Sequence, residues 1–252
     1  MKKGTSWNKF ADWYDDLIES GSGTYQGTVI LPNLLRAMAI RRGDNILDVG
    51  CGQGFFSRAF FGAGATVVGV DLTPRLIDQA REHAPEGISF HRGNAERMTM
   101  VQTGSMDKAV AVLSMQNMAD AGKAIFETGR TLKQGGKFFL VLNHPAFRIP
   151  KKSSWGWDEE QKNQYRRIDG YLSESKEKIM MHPGGNTKDY TFSFHRPLQY
   201  YVKALRRAGL AIVGIEEWIS DRKSQPGPRA RAEYHIRKEI PLFLFVESNK
   251  II

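Results

Sequence analysis

Seven short apolar runs punctuate the chain, and between most of them hydrophobic residues recur at helical spacing. Asn45–Val49, Thr66–Val70, Ile88–His91, Ala109–Leu113 and Phe138–Leu142 read as strands, with Ala211–Ile215 and Pro241–Val246 following after a long gap. Phe138–Leu142 is apolar throughout, as in a parallel strand covered on both faces. Helical spacing recurs at Trp7, Phe10, Ala11, Tyr14, Leu17 and Ile18, then at Val29, Ile30, Leu34, Leu35 and Met38. Further helices are expected from Phe55 to Phe61, stopped by Gly62-Ala63-Gly64, and from Pro74 with Thr73 as its cap. Two more run from Ala119 to Leu132, stopped by Gly135-Gly136, and from Leu198 to Ala208. Alternation of this kind predicts an α/β fold: a doubly wound, seven-stranded, mostly parallel sheet with an insertion after the fifth strand.

The first strand carries the chemistry. Asn45-Ile46-Leu47-Asp48-Val49 runs straight into Gly50-Cys51-Gly52-Gln53-Gly54 and then into the helix at Phe55. Glycines at alternate positions make a tight turn whose backbone N–H groups can approach a ligand that a side chain would push away. The second strand ends in Asp71, at the spacing where a carboxylate meets ribose hydroxyls. A dinucleotide turn would place its third glycine at Phe55, and Asp48 would repel a pyrophosphate. An acid there suits a ligand of positive charge, such as the sulfonium nucleoside S-adenosylmethionine.

With these residues the chain resembles the class I S-adenosylmethionine-dependent methyltransferases, of the group that includes the ubiquinone/menaquinone-biosynthesis-like enzymes. The resemblance is best over residues 40–145. It implies the Rossmann-like fold of that class and a methionine site around Asp48, Gly50, Gly52 and Gly54, with Cys51 and Gln53 in the same turn. It also implies ribose contacts at Asp71 beside Leu72, adenine contacts at Asn94-Ala95, and a methyl-transfer side at Ser114-Met115-Gln116. Tyr14 and Tyr25 lie on the N-terminal helices that, in the family, fold over the cofactor. Leu132-Lys133-Gln134-Gly135-Gly136-Lys137 resembles the family's turn before the fifth strand, with Gln134 where proline is usual. No metal is implied.

Composition narrows the rest. A length of 252 residues, 41% of them hydrophobic, suits a single domain. Its parts are expected as N-terminal helices over the cofactor (1–40), a cofactor-binding core (41–143), a lid-like insert (144–196) and C-terminal helices and strands (197–252). The insert follows the carboxyl end of a strand, where open α/β sheets bind ligands. Trp155, Trp157, Tyr165, Tyr171 and Met180-Met181 would either line a lid or bury a satellite core. One cysteine excludes an internal disulfide, and Cys51 in the turn reads as a small buried residue. No run approaches the ~18 apolar residues of a membrane span, and residues 1–6 are not an apolar signal core, so a cytoplasmic protein is expected.

Methyl transfer demands alignment and exclusion of water, and a base only where the acceptor must lose a proton. His144, just after the fifth strand, is the candidate base, and His195 in Phe192–Arg196 is the second candidate; structural hydrogen bonding suits His144 at least as well and His195 better. Glu216-Glu217 reads as a solvated strand end. The net charge of +9 gathers partly at Arg222-Lys223 and Arg229–Lys238, where a solvated connector helix is expected. Three functions stay open: methyl transfer to a small molecule, anionic or aromatic; methylation of an RNA base along a basic face; and cofactor binding without catalysis.

Overall fold

The computed structural model describes residues 6–20, 23–180 and 190–251. The expectations for residues 1–5 and for Met181 lie outside them. All seven apolar runs enter one sheet: β1 (Asn45–Val49), β2 (Thr66–Asp71), β3 (Ile88–Arg92), β4 (Met106–Val112), β5 (Leu132–Asn143) and, after four insert strands β6 to β9, β10 (Leu210–Trp218) and β11 (Phe243–Lys250). Their spatial order is β10-β11-β5-β4-β1-β2-β3. Pairing is parallel from β3 through β5, and β11 runs antiparallel to both neighbours. β1 therefore has β2 on one side and β4 on the other, so the strand order reverses there and a crevice opens beyond its carboxyl end.

The apolar runs explain the layering. In β5, Phe138, Phe139, Leu140 and Val141 are all 0% exposed. Because side chains alternate along a strand, Phe139 and Val141 enter one core while Phe138, Leu140 and Leu142 enter the other. The first core takes Leu34 and Met38 of α2 (Leu31–Met38) with Phe56 and Phe60 of α3 (Phe55–Gly62). The second takes Ala121, Ala124 and Ile125 of α5 (Ala121–Thr131), with Tyr201 and Leu205 of α6 (Leu198–Arg207). Between these, α1 (Ala11–Glu19) precedes the sheet, and Ile77 and Ala80 of α4 (Pro74–His83) pack on Phe90 and Cys51.

Several local expectations change. Thr73 precedes α4 but makes no capping bond, because its hydroxyl is drawn to the Asp71 carboxylate. α5 begins at Ala121 and is capped by Asp120, which accepts the Lys123 N–H at 3.0 Å. Leu113, expected as the end of the fourth strand, turns out of it at φ 50°. The turn at Lys133–Gly136 is present as a bulge inside β5, where the pairing jumps from Met106↔Leu132 to Lys108↔Lys137. The insert is two antiparallel hairpins, β6 (Ser153–Asp158) with β7 (Asn163–Ile168) and β8 (Ser175–Met180) with β9 (Tyr190–His195). The late basic run forms α7 (Ala230–Glu239), which buries none of its residues, as a solvated connector should.

Candidate functional site

The three glycines of the turn answer three different needs. All have positive φ: 74° at Gly50, 57° at Gly52 and 86° at Gly54. A Cβ on Gly50 would meet Ser114 Cβ at 2.5 Å, and one on Gly54 would meet Phe90 Cζ at 2.8 Å. These two glycines allow the protein to pack against itself. A Cβ on Gly52 would find only Tyr14 Cε1, at 3.9 Å. Gly52 thus presents bare backbone to open space, the cradle a ligand needs. Its own N–H is held by Asp71 Oδ2 at 3.1 Å, so the carboxylate at the tip of β2 shapes the turn at the tip of β1.

Around this turn lies a cleft of about 370 Å³ lined by Asp48, Gly52 and Gln53 below and by Tyr14, Ile18 and Gln26 from the N-terminal segment above. Asp48 is 2% exposed. Its only hydrogen-bond partner among the described residues is Ser57, whose hydroxyl donates at 2.6 Å. Burial pushes the Asp48 pKa up to about 7, opposed by the Ser57 bond and helped by the charge of Asp71. Asp71 is also raised by burial, although Thr73 N–H at 2.8 Å and Gly52 N–H favour its charged form. Gln53 is 1% exposed; its Nε2 donates to Glu19 at 2.9 Å, but its Oε1 is buried without a partner among the described residues. Two desolvated carboxylates and an unpaired carbonyl make a site short of positive charge. A sulfonium and an ammonium fit it; a pyrophosphate does not.

Other expected cofactor residues are placed as follows. Tyr14 lies in the cleft, its hydroxyl bonded to Gln26 and its pKa raised chiefly by burial. Cys51 packs against Phe90 and Ile77, and burial drives its thiol pKa well up, so it is no thiolate. Leu72 is 46% exposed and is not among the residues that line the cleft. Asn94 is exposed and its Oδ1 accepts the Glu96 N–H at 2.9 Å, while Ala95 is buried beside it. Ser114 donates to Val49 O at 2.7 Å, tying the end of β4 to that of β1. Met115 is buried in the second core and does not line the cleft. Tyr25 is turned away: its hydroxyl pairs with Ser220 at 2.9 Å and its ring packs edge-on to Phe243. Gln26, which sequence reasoning passed over, enters instead through a π-helical turn at Gln26–Ile30. Only tertiary packing brings it there.

His144 is hydrogen-bonded at both ring nitrogens. Its Nδ1 faces the N–H groups of Ala146 and Phe147 at 3.2 and 3.3 Å, which makes that nitrogen the acceptor. Nε2 therefore carries the hydrogen and donates to Glu217 Oε1 at 2.7 Å. Both ring nitrogens are thus engaged, and Glu217, its side chain 54% exposed, is the partner of His144 at the solvated strand end. His195 differs. It lines a second crevice beyond β4 and β5, with Gln116, Asn143, Arg148 and Tyr201. Its Nε2 donates to Tyr171 O at 2.7 Å, which leaves Nδ1 as the acceptor nitrogen, and burial lowers its pKa. It stands neutral at pH 7.

A seven-stranded sheet in this order, with bare backbone at its switch point between the buried Asp48 and the half-buried Asp71, matches the Rossmann-like fold of the class I S-adenosylmethionine-dependent methyltransferases. Residues 47–140 match the family model for a methyltransferase domain, a likeness that supports S-adenosylmethionine as the cofactor. A ubiquinone biosynthesis O-methyltransferase from Xanthomonas oryzae is 36% identical over 101 residues, which cover 39% of this chain and 42% of that relative. The chain thus matches less than half the length of that curated relative. An S-adenosylmethionine-dependent methyltransferase from Mesorhizobium loti is 29% identical with a TM-score of 0.73, over 90% of this chain and 100% of that one. A second solved structure, from Listeria monocytogenes, shares the fold at 20% identity and a TM-score of 0.64, over 85% of this chain and 96% of that one. Among the described residues no helix is long and apolar enough to cross a membrane.

Proposed function

We propose that the protein transfers a methyl group to a small-molecule acceptor held in the second crevice, under the β8–β9 hairpin of the insert. The observation that carries this reading is the pairing of open backbone at Gly52 with the buried Asp48 and the half-buried Asp71. When bound, S-adenosylmethionine supplies a methyl carbon activated by its sulfonium, the carbon–sulfur bonding pair leaving with sulfur. Asp48 and Gln53 Oε1 would hold the positive groups of its methionine end, and Asp71 the ribose hydroxyls through lone pairs that Gly52 and Thr73 leave free. Tyr14 and Gln26 close the cleft and exclude water.

The two crevices lie at the carboxyl ends of neighbouring strands, the first at β1 and the second at β4 and β5. Ser193, Phe194, His195 and Arg196, from the end of β9, line the second, which supports a lid role for that hairpin. Where the acceptor must lose a proton, His195 Nδ1 takes it in place of His144. An RNA substrate is less well supported. The basic residues of α7 and its approach are diluted by acids, Arg229 pairing with Glu159 and Arg237 with Glu233. Incubation of methyl-labelled cofactor with cell extract tests the reading: label should enter a low-molecular-weight fraction and survive ribonuclease. Label lost to ribonuclease would establish the RNA substrate instead.

A further inference from the structure

The second crevice holds two arginines in opposite circumstances. Arg196 is satisfied: its guanidinium donates to the carbonyls of Met115, Met118 and Ala119 at 3.4, 2.9 and 2.8 Å and approaches Glu174 at 3.8 Å. Arg148 is not. Of five N–H donors, it commits one, from Nη1 to Asn143 Oδ1 at 2.6 Å. Its Cζ lies 5.4 Å from the centre of the Phe243 ring. Among the described residues no carboxylate pairs with it, although it is half-buried in the crevice. Burial holds the guanidinium below its ordinary pKa, and the like charge of Arg166 adds to this.

A desolvated cation without a counter-ion is costly unless something arrives to pair with it. Arg166 cannot serve, and its own donors go to Phe147 O at 2.9 Å and Ser153 Oγ at 2.7 Å. The same crevice contains a second unmet group, of the opposite kind. Gln116 Oε1 is a buried acceptor without a partner among the described residues. The site therefore asks for a negative group at Arg148 and a hydrogen-bond donor at Gln116.

We propose that the methyl acceptor is a small carboxylate, its anion held by Arg148 and its hydroxyl or aryl-amine N–H donating to Gln116 Oε1. This rests on the reading that the second crevice is the acceptor site. A planar guanidinium fork matches a carboxylate bidentately, and Arg148 commits only one Nη1 hydrogen, to Asn143, among the described residues.

The test uses methyl-labelled S-adenosylmethionine, the whole protein and a protein-free, ribonuclease-treated small-molecule extract of the source cells. Labelled products are separated on an anion exchanger at neutral pH. Label should appear in the retained, anionic fraction. With that fraction's acceptor, Arg148→Gln should raise KM by about 30-fold or more with kcat nearly kept, as expected for a charged bond made equally before and during the reaction. Arg148→Lys should recover part of the loss, and both variants should bind S-adenosylmethionine as the native protein does, which also reports their folding. Label in the unretained fraction, or an Arg148→Gln protein with native KM, would overturn the carboxylate while leaving small-molecule methylation standing. Absence of label from every small-molecule fraction would overturn both.

Discussion

The glycine turn separates ligand space from packing space at the level of single atoms. Gly52 faces open cleft, whereas Gly54 faces the Phe90 ring, although both have positive φ. Gly54→Ala should accordingly lower stability by about 2 kcal/mol, through a left-handed backbone and a crowded ring. Gly52→Val should cost cofactor affinity beyond any loss of stability, because its branches project into the cleft. Thermal melting alongside calorimetric titration with S-adenosylmethionine separates these losses, and equal effects on both readouts would refute the distinction. The two histidines differ in the same atomic way. His144→Gln should leave turnover within a few-fold of native, while His195→Gln should slow it by about 100-fold for an acceptor that loses a proton, and the pH–rate profile should lose its acid limb, the fall in rate as the base is protonated. Should His144→Gln prove the slower of the two, the hydrogen-bond assignment would be wrong.

At the scale of elements, what could be read from sequence followed burial. The Phe138–Leu142 stretch of β5 is apolar without interruption because both its faces are covered, and this five-residue signature survives any tertiary context. The insert strands carry no such signature. β7, Asn163–Ile168, alternates between half-buried and exposed polar side chains, so only its pairing with β6 makes it a strand. The cofactor turn was legible because its chemistry is local, Asp48 and Gly52 lying four residues apart. Gln26 and the partnering of His144 with Glu217 were not, because they join segments tens of residues apart through packing alone. The β8–β9 hairpin can be tested as an element. Replacing Ser193 and Phe194 by alanine at the end of β9 should raise KM for the acceptor and leave cofactor affinity unchanged, since that strand end lines only the second crevice. Equal losses at both sites would argue against a hairpin dedicated to the acceptor.

Over the whole molecule, an excess of positive charge surrounds a cleft that is locally acidic. The net charge of +9 is carried largely at the surface, while Asp48 and Asp71 lie at the switch point of the sheet. Their burial is costly in the free protein, and the sign of that cost follows from Asp48. Its pKa rises from 3.8 to about 7 on folding, so its stabilising contribution is complete below pH 3.8 and is lost as pH climbs through about 7. A bound cation reverses the preference and draws the carboxyl back to its charged form. The stabilisation conferred by cofactor should therefore grow with pH across the same window.

Calorimetric affinity for S-adenosylmethionine between pH 5.5 and 8 tests this most directly. Affinity should rise with pH by at most about tenfold per unit and level off near pH 7, with a proton released on binding, and Asp48→Asn should flatten the profile. A pH-independent affinity, or tighter binding of a phosphorylated dinucleotide than of S-adenosylmethionine, would contradict the acidic cradle.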